Sequence, residues 1–157
     1  MKTIYYYQTF MGLDKCMTHP QDIDVIIVSS LHFDKNKHGI KNIYLNDNLP
    51  YDPSFNQLWL ETEKISVQGT TVMLMMGGAG LAYNELFSDF KTYYPLLKKL
   101  INTKSWIKGI DLDIEESVTL DNIKMLITQL VNDFGKGFII TMAPVAPSLM
   151  HDGTSMA

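Results

Sequence analysis

The feature that most constrains the fold of this chain is a repeated alternation between short aliphatic runs and longer amphipathic segments. The run DVIIVSS at 24–30 is almost continuously apolar, and TTVMLMM at 70–76 has the same character. Runs of this kind are typical of strands that are buried on both faces. Because amphipathic segments separate them, the pattern predicts right-handed βα units and a parallel sheet.

The same pattern extends along the whole chain. Five strands are predicted, at 3–8, 24–30, 70–76, 107–114 and 137–143. The segment 32–47 between the second and third strands mixes charge with a glycine and is read as a small hairpin excursion.

Three helical segments are predicted between the strands. The first begins at Asp52–Pro53 and ends at Gly69, because an N-cap residue, a first-turn proline and a terminal glycine mark its two ends. The second covers about 83–101 and is expected to break near Pro95, since proline removes a backbone donor. The third is capped by Thr119 and ends at Gly135.

The chain has 157 residues, which is enough for one domain with a sizeable core. A βα barrel of eight strands typically needs about 250 residues. We therefore expect an α/β fold in which residues 1–157 form one partial domain, with about the first five βα units of a (β/α)8 TIM barrel. Truncation of a longer protein and an open α/β sheet are the two readings of this count.

Composition excludes several classes of partner. The net charge is −4 and the isoelectric point is near 5.4, so no basic surface for nucleic acid or for an anionic membrane is expected. The single cysteine, Cys16, rules out an internal disulfide and is expected to be an idle thiol. We expect no signal peptide and no membrane-spanning segment, so a cytoplasmic location is the default expectation.

We expect the residues that carry out catalysis in the stretch SWIKGIDLDIEE at 105–116. Its Asp111, Asp113 and Glu115 alternate with aliphatic residues, so on a strand the three acids would share one face. Burial and like-charge repulsion should raise the pKa of at least one of these carboxyls. A solvated surface strand is one alternative, and a Mg²⁺ or Ca²⁺ site is another, but no further ligand cluster lies nearby. We expect no metal and no cofactor.

Polar and special residues also follow the other predicted strands, where barrel enzymes place their functional groups. Gln8 follows the first strand, and Gly77 and Gly78 follow the third. A phosphate loop is an alternative reading of MMGGAG at 75–80, but the segment lacks the Lys-Ser/Thr of a Walker loop. TFMGLDK at 9–15 supplies no such loop either. A tight turn that lets the strand end approach a ligand is the favoured interpretation.

These motifs resemble those of a known family. KGIDLDIE at 108–115 is similar to the DGxDxDxE signature of the family-18 glycoside hydrolases, which include chitinases and endo-β-N-acetylglucosaminidases. MMGGAG resembles the SxGG segment of that family, IYYYQ at 4–8 resembles its first-strand IYWGQ, and ITMAP at 140–144 resembles its fifth-strand segment. The resemblance spans almost the whole chain, in the right order.

The resemblance implies a role for each matched residue. Glu115 would protonate the leaving glycosidic oxygen, Asp113 would orient the acetamido group of the substrate, and Asp111 would share a proton with Asp113. Tyr5, Gln8, Gly77, Gly78 and Met142 would line or approach the sugar site. Glu116 would face away from the acid row or lie in a loop, so Glu116→Gln is expected to be nearly silent.

The implied function is hydrolysis of β-1,4-linked N-acetylglucosamine polymers or glycans by a retaining, substrate-assisted mechanism. A catalytically weak or inactive carbohydrate-binding relative is the alternative. Two departures from the family pattern, Lys108 and Met75, are expected to weaken the hydrogen-bond support beneath the acids. We also expect self-association of the chain, because a barrel cut after its fifth strand leaves unpaired edges.

Overall fold

The computed structural model describes residues 1–144 of the chain. Its strands are β1 (Ile4–Tyr7), β2 (Val25–Lys35), β3 (Lys41–Leu45), β4 (Thr71–Gly77), β5 (Ile107–Ile114) and β6 (Ile139–Pro144). Its helices are α1 (Asp14–Thr18), α2 (Asn56–Val67), α3 (Ala82–Ser88), α4 (Phe90–Thr103) and α5 (Leu120–Phe134). Pro147, a proline expected to end the last predicted strand, lies outside the described residues.

Five strands form a parallel sheet in the order β1, β2, β4, β5, β6. The prediction of five parallel strands in sequence order is therefore confirmed. The sheet curls into a half-barrel, so the fold is that of an incomplete TIM barrel. The predicted excursion is confirmed as well, because β3 pairs antiparallel with the second half of β2.

The side chains of each strand alternate between the two faces of the sheet. We call the face that carries Leu74 and Leu112 the outer face, because the helices pack against it. The opposite face, which carries Asp111, we call the inner face. A small apolar cluster of Val25, Ile27 and Met73 lies on the inner face. Residues that are paired across parallel strands share a face, so the strand pairings assign each candidate residue to one of the two.

The outer face holds the main hydrophobic core. Leu58, Leu97 and Leu126 each come from a different helix and are all at most 2% exposed. They pack with the outward residues of the central strands in one cluster. Most of the buried apolar side chains therefore lie between the sheet and the helices. Polar groups such as Asp111 lie on the inner face.

Helix ends follow the sequence signals in two cases. The Thr119 side chain accepts a hydrogen bond from the Asn122 backbone N–H at 3.2 Å, and α5 ends at Gly135, which has a φ of 82°. Asp52 accepts from the Ser54 backbone N–H at 2.9 Å, at a 3-10 turn that leads into α2. The capping predictions are confirmed at both sites.

The predicted break at Pro95 is wrong. The helical region is interrupted between Ser88 and Phe90, and α4 continues through Pro95. The Pro95 ring leaves the Lys91 carbonyl without its helical donor, but both residues are exposed, so water can satisfy that oxygen. Asp89 lies at the observed break, where its carboxylate accepts hydrogen bonds from the Lys41 side chain at 2.5 Å and from the Thr92 hydroxyl at 2.8 Å.

Candidate active site

Asp111 lies on the inner face in the middle of β5 and is only 2% exposed. Its Oδ2 accepts a hydrogen bond from the Tyr6 hydroxyl at 3.1 Å, and its Oδ1 accepts one from the Thr141 hydroxyl. A buried carboxylate is costly unless it is hydrogen-bonded, and here each oxygen has a donor. Burial and the neighbouring Asp111 charge together raise the pKa of Tyr6 to about 12, so its hydroxyl stays protonated and remains a donor.

Asp113 is two residues further along β5 on the same face and is partly buried. Desolvation is the main cause that raises the pKa of its carboxyl above the usual value, and the charges of Glu115 and Asp111 raise it further. The expectation of one raised carboxyl pKa therefore applies to Asp113. Its position beside two other acids favours the protonated form relative to an isolated aspartate.

Glu115 follows the last residue of β5 directly and is exposed. Its charge acts on Asp113, which places it in the same electrostatic group as the other two acids. The three acids thus differ in depth: Asp111 is buried, Asp113 is intermediate and Glu115 is open to solvent.

The glycines after β4 bring that strand against the end of β5. The Gly78 backbone N–H donates to the Asp113 carbonyl at 3.0 Å, and Gly77 is the register partner of Asp113. A Cβ on Gly77 would lie 2.0 Å from the Asp113 carbonyl oxygen, and its φ of 107° favours glycine. The glycines therefore allow β4 to lie close to the backbone that carries Asp113, and their predicted approach to a ligand stays a prediction.

The two departures from the family pattern lie in different places. Met75 is the register partner of Asp111 and shares the inner face with it, so this departure touches the acid row. Lys108 is exposed at the start of β5 and donates from Nζ to the Ser105 carbonyl at 2.7 Å. The expectation that Lys108 also weakens the support beneath the acids is not matched by this contact, because it directs the side chain to the far end of the strand.

Two residues predicted for the sugar site, Tyr5 and Met142, lie on the outer face, opposite the acids. Tyr5 pairs with Ile26 and its ring stacks on Tyr7, 6.0 Å between centroids, on the outer face. Met142 pairs with Leu112 and so shares the outer face as well. Strand alternation is the physical reason, because the acids occupy the other parity. Gln8 has inner-face parity just beyond β1 and is exposed, and its carbonyl accepts from Asn46 at 3.3 Å.

Sequence reasoning missed the two hydroxyls that hold Asp111. Tyr6 stands in a run of three tyrosines, so the letters alone give no indication of which ring faces the acids. Thr141 lies one residue before Met142 and is the register partner of Asp111. The sequence alone does not give the register between β5 and β6 that places Thr141 beside Asp111.

The described part of the chain contains no group of three or more His, Cys, Asp or Glu side chains placed to hold a metal ion. The side chains of the row and its direct partners supply carboxyl groups and hydroxyls. An acid with a raised pKa, next to an exposed carboxyl, can exchange protons with a bound ligand and stabilise a developing positive charge.

Comparison with solved structures gives strong matches. The chain superposes on a chitinase from Aspergillus fumigatus with a TM-score of 0.85 and 32% sequence identity, over 98% of this chain and 58% of that one. A fungal endo-β-N-acetylglucosaminidase of glycosyl hydrolase family 18 matches with a TM-score of 0.80 and 32% identity, over 99% of this chain and 58% of that one.

A family-18 chitinase from Pseudoalteromonas aurantia, at 18% identity and a TM-score of 0.72, shares the fold over 99% of this chain and 60% of that one. No protein-family model and no curated protein matches the sequence. The chain thus spans a little over half the length of the solved structures that it matches. The resemblance to part of the family-18 barrel, indicated first by the acidic motif, is confirmed.

None of the helices within residues 1–144 is both long enough and apolar enough to cross a membrane.

Proposed function

We propose that this chain, which has the fold and the acidic motif of the first part of a family-18 glycoside hydrolase barrel, carries the catalytic acids for cleaving β-1,4-linked N-acetylglucosamine polymers or glycans. The solved structures that it superposes on include a chitinase and an endo-β-N-acetylglucosaminidase, which supports this class of substrate. Residues 1–157 would form one part of the catalytic domain.

The observation that carries the proposal is the graded depth of the three acids on one face of β5. Glu115, exposed at the strand end, would act as the general acid that protonates the leaving glycosidic oxygen. Asp113, partly buried and with a raised pKa, would hydrogen-bond the acetamido nitrogen of the substrate. Asp111 would stay fixed beneath it by Tyr6 and Thr141.

In this mechanism the acetamido oxygen of the sugar attacks the anomeric carbon while the bond to the leaving oxygen breaks. Glu115 gives its proton to the leaving oxygen, and a cyclic oxazoline-like cation forms on the sugar. The negative charge shared by Asp113 and Asp111 would stabilise that cation. Water then opens the ring from the face that the leaving group has vacated, and Glu115 recovers its proton. Two inversions at the same carbon give overall retention.

Glu115→Gln tests the proposal. The substitution keeps the shape of the side chain and removes its transferable proton, so turnover of an N-acetylglucosamine oligomer should fall by about 10²–10⁴-fold. Binding of the oligomer, measured by calorimetry, should persist. Full turnover in Glu115→Gln would refute the assignment. Binding by the parent protein without any turnover would instead identify a carbohydrate-binding relative.

Self-association of the 157-residue chain is a further part of the proposal. Among the described strands, β1 and β6 each have a neighbour on one side alone. Ile4 and Ile139, on these two strands, are 50% and 40% exposed. Free strand edges invite pairing with another chain. Sedimentation velocity should therefore show dimers or larger species that increase with concentration, and a concentration-independent monomer would contradict this expectation.

A further inference from the structure

We propose that Glu116 is a positioning residue for the acid row: its buried carboxylate fixes the backbone on the far side of Glu115 by capping the start of α3. This inference rests on the function proposed above, and it predicts a different outcome for Glu116→Gln from the nearly silent one expected from strand alternation. Sequence alternation placed Glu116 outside the acid row, and the structure agrees, but it also gives this side chain an anchoring contact.

The contact is made by both carboxylate oxygens. Glu116 is 8% exposed, and its Oε1 accepts the Tyr83 backbone N–H at 2.7 Å while its Oε2 accepts the Asn84 backbone N–H at 2.9 Å. The first N–H groups of a helix have no partner within the helix. A carboxylate is the best acceptor for them, because hydrogen bonds to a charged group are stronger than neutral ones.

Tyr83 connects this cap to the acid row. Its side chain is fully buried, and its hydroxyl donates to the Met76 carbonyl at 2.8 Å, at the end of β4. Its ring also fills the space beside Gly77: a Cβ on that glycine would lie 2.8 Å from Tyr83 Cε2. The cap therefore joins the segment after β5 to the same strand end that contacts Asp113.

Glu115 stands between two fixed points as a result. Before it, the Asp113 carbonyl accepts from the Gly78 N–H at 3.0 Å. After it, the Glu116 carboxylate is held by α3. Glu115 is itself exposed and lies past the end of the strand, so these two anchors limit the movement of its backbone.

Glu116→Gln is the direct variant. The amide keeps one acceptor oxygen, but its NH2 group would face the second backbone N–H, so one bond is lost and two donors oppose each other. The matched control is Glu61→Gln on α2. Glu61 is 3% exposed, and its carboxylate likewise accepts two N–H groups, from the Leu13 backbone at 3.2 Å and from the Gln57 side chain at 2.8 Å.

The experiment compares the parent protein with both variants by melting temperature, kcat and KM on an N-acetylglucosamine oligomer. We expect both variants to melt earlier. Glu116→Gln alone should lose about 10- to 100-fold in kcat with KM nearly unchanged, since a misplacement of about 1 Å can cost about 10²-fold in rate. Glu116→Asp, which keeps the charge, should regain part of the lost kcat. If Glu116→Gln does not fold, Glu116→Asp takes its place. Glu116→Asp should then lose kcat relative to the parent, while Glu61→Gln keeps the kcat of the parent.

A second readout does not need turnover. In ¹⁵N spectra of the chain, Glu116→Gln should shift the backbone amide signals of Asp113 and Gly78, which are not its neighbours in sequence, and Glu61→Gln should leave them in place. Equal kcat in the two Gln variants, or unshifted Asp113 and Gly78 signals, would overturn the proposal. If the parent shows no hydrolysis, the proposed function fails, and the spectra still decide whether Glu116 positions Glu115.

Discussion

The two faces of β5 differ in what they contribute to the molecule. On the outer face, Ile110, Leu112 and Ile114 are completely buried under the helices and belong to the main core. On the inner face, Asp111 and Asp113 alternate with them along the same eight residues. One strand therefore carries the centre of the core on one side and a row of carboxyl groups on the other.

The difference shows how function is separated from stability in this fold. The outer side chains gain free energy from burial, at roughly 25 cal/mol per Å² of apolar surface. The inner side chains are held at a cost, because desolvation and like charges disfavour the ionised form of Asp113. Substitutions on the two faces should therefore move different measured quantities.

Among the substitutions that compare the two faces of β5, Asp113→Asn should have the largest effect. An amide cannot supply the negative charge that stabilises a cationic intermediate, so kcat should fall by about 10²–10³-fold, as for loss of one preorganised electrostatic group. Steady-state kinetics on an N-acetylglucosamine oligomer measures this. A variant with parent-like kcat would show that Asp113 is not part of the reaction.

The same variant should change the pH dependence of stability. Because the pKa of Asp113 is raised in the folded protein, the folded state binds more protons than the unfolded state between the unfolded pKa and the raised folded pKa. Stability should therefore fall as pH rises through that window, and the loss should persist at neutral pH. Asp113→Asn removes this contribution, so melting curves should show the variant gaining on the parent as pH rises from acidic to neutral.

Leu112→Ala tests the outer face. Truncation of a fully buried leucine leaves a cavity, so the free energy of unfolding should fall by about 2–5 kcal/mol, measured by urea denaturation. The kcat per folded molecule should stay close to that of the parent, since Leu112 points away from the acids. A large loss of kcat with unchanged stability would remove the distinction between the faces.

The smallest effect is expected for Tyr6→Phe, with Tyr5→Phe as its matched control on the neighbouring position. Tyr6→Phe removes one of the two donors to Asp111, and a hydrogen bond to a charged group contributes about 1.5–3 kcal/mol to stability. Turnover should fall by less than about tenfold in Tyr6→Phe and stay unchanged in Tyr5→Phe. The reverse pattern would show that the strand β1 has the opposite parity.

Much of the fold could be predicted because the sequence signals are strong and local. The runs at 24–30 and 70–76 are too apolar for any position except a buried strand, and Thr119 and Gly135 mark the ends of α5 by their own chemistry. The break at Pro95 was predicted wrongly because a proline on the exposed side of a helix leaves a carbonyl that water can reach.

The acid row could be predicted as well, since Asp111 and Asp113 report their shared face by alternation alone. Its partners could not, because parity across different strands depends on register. Tyr5 and Tyr6 are the same residue type, and only the pairing of Tyr6 with Ile27 shows which ring faces Asp111. The contact of Glu116 with α3 could not be predicted either, because Tyr83, whose backbone N–H its carboxylate accepts, is 33 residues away in sequence.

The central claim is that the acids at the end of β5 support a retaining, substrate-assisted cleavage. Proton NMR of the reaction mixture, recorded before the released sugar mutarotates, measures this most directly on a β-linked N-acetylglucosamine oligomer. The roles proposed for Asp113 and Glu115 require the newly formed reducing end to appear first as the β-anomer. First appearance of the α-anomer would show inversion, which needs a protein base and an activated water, and would contradict the roles assigned to Asp113 and Glu115.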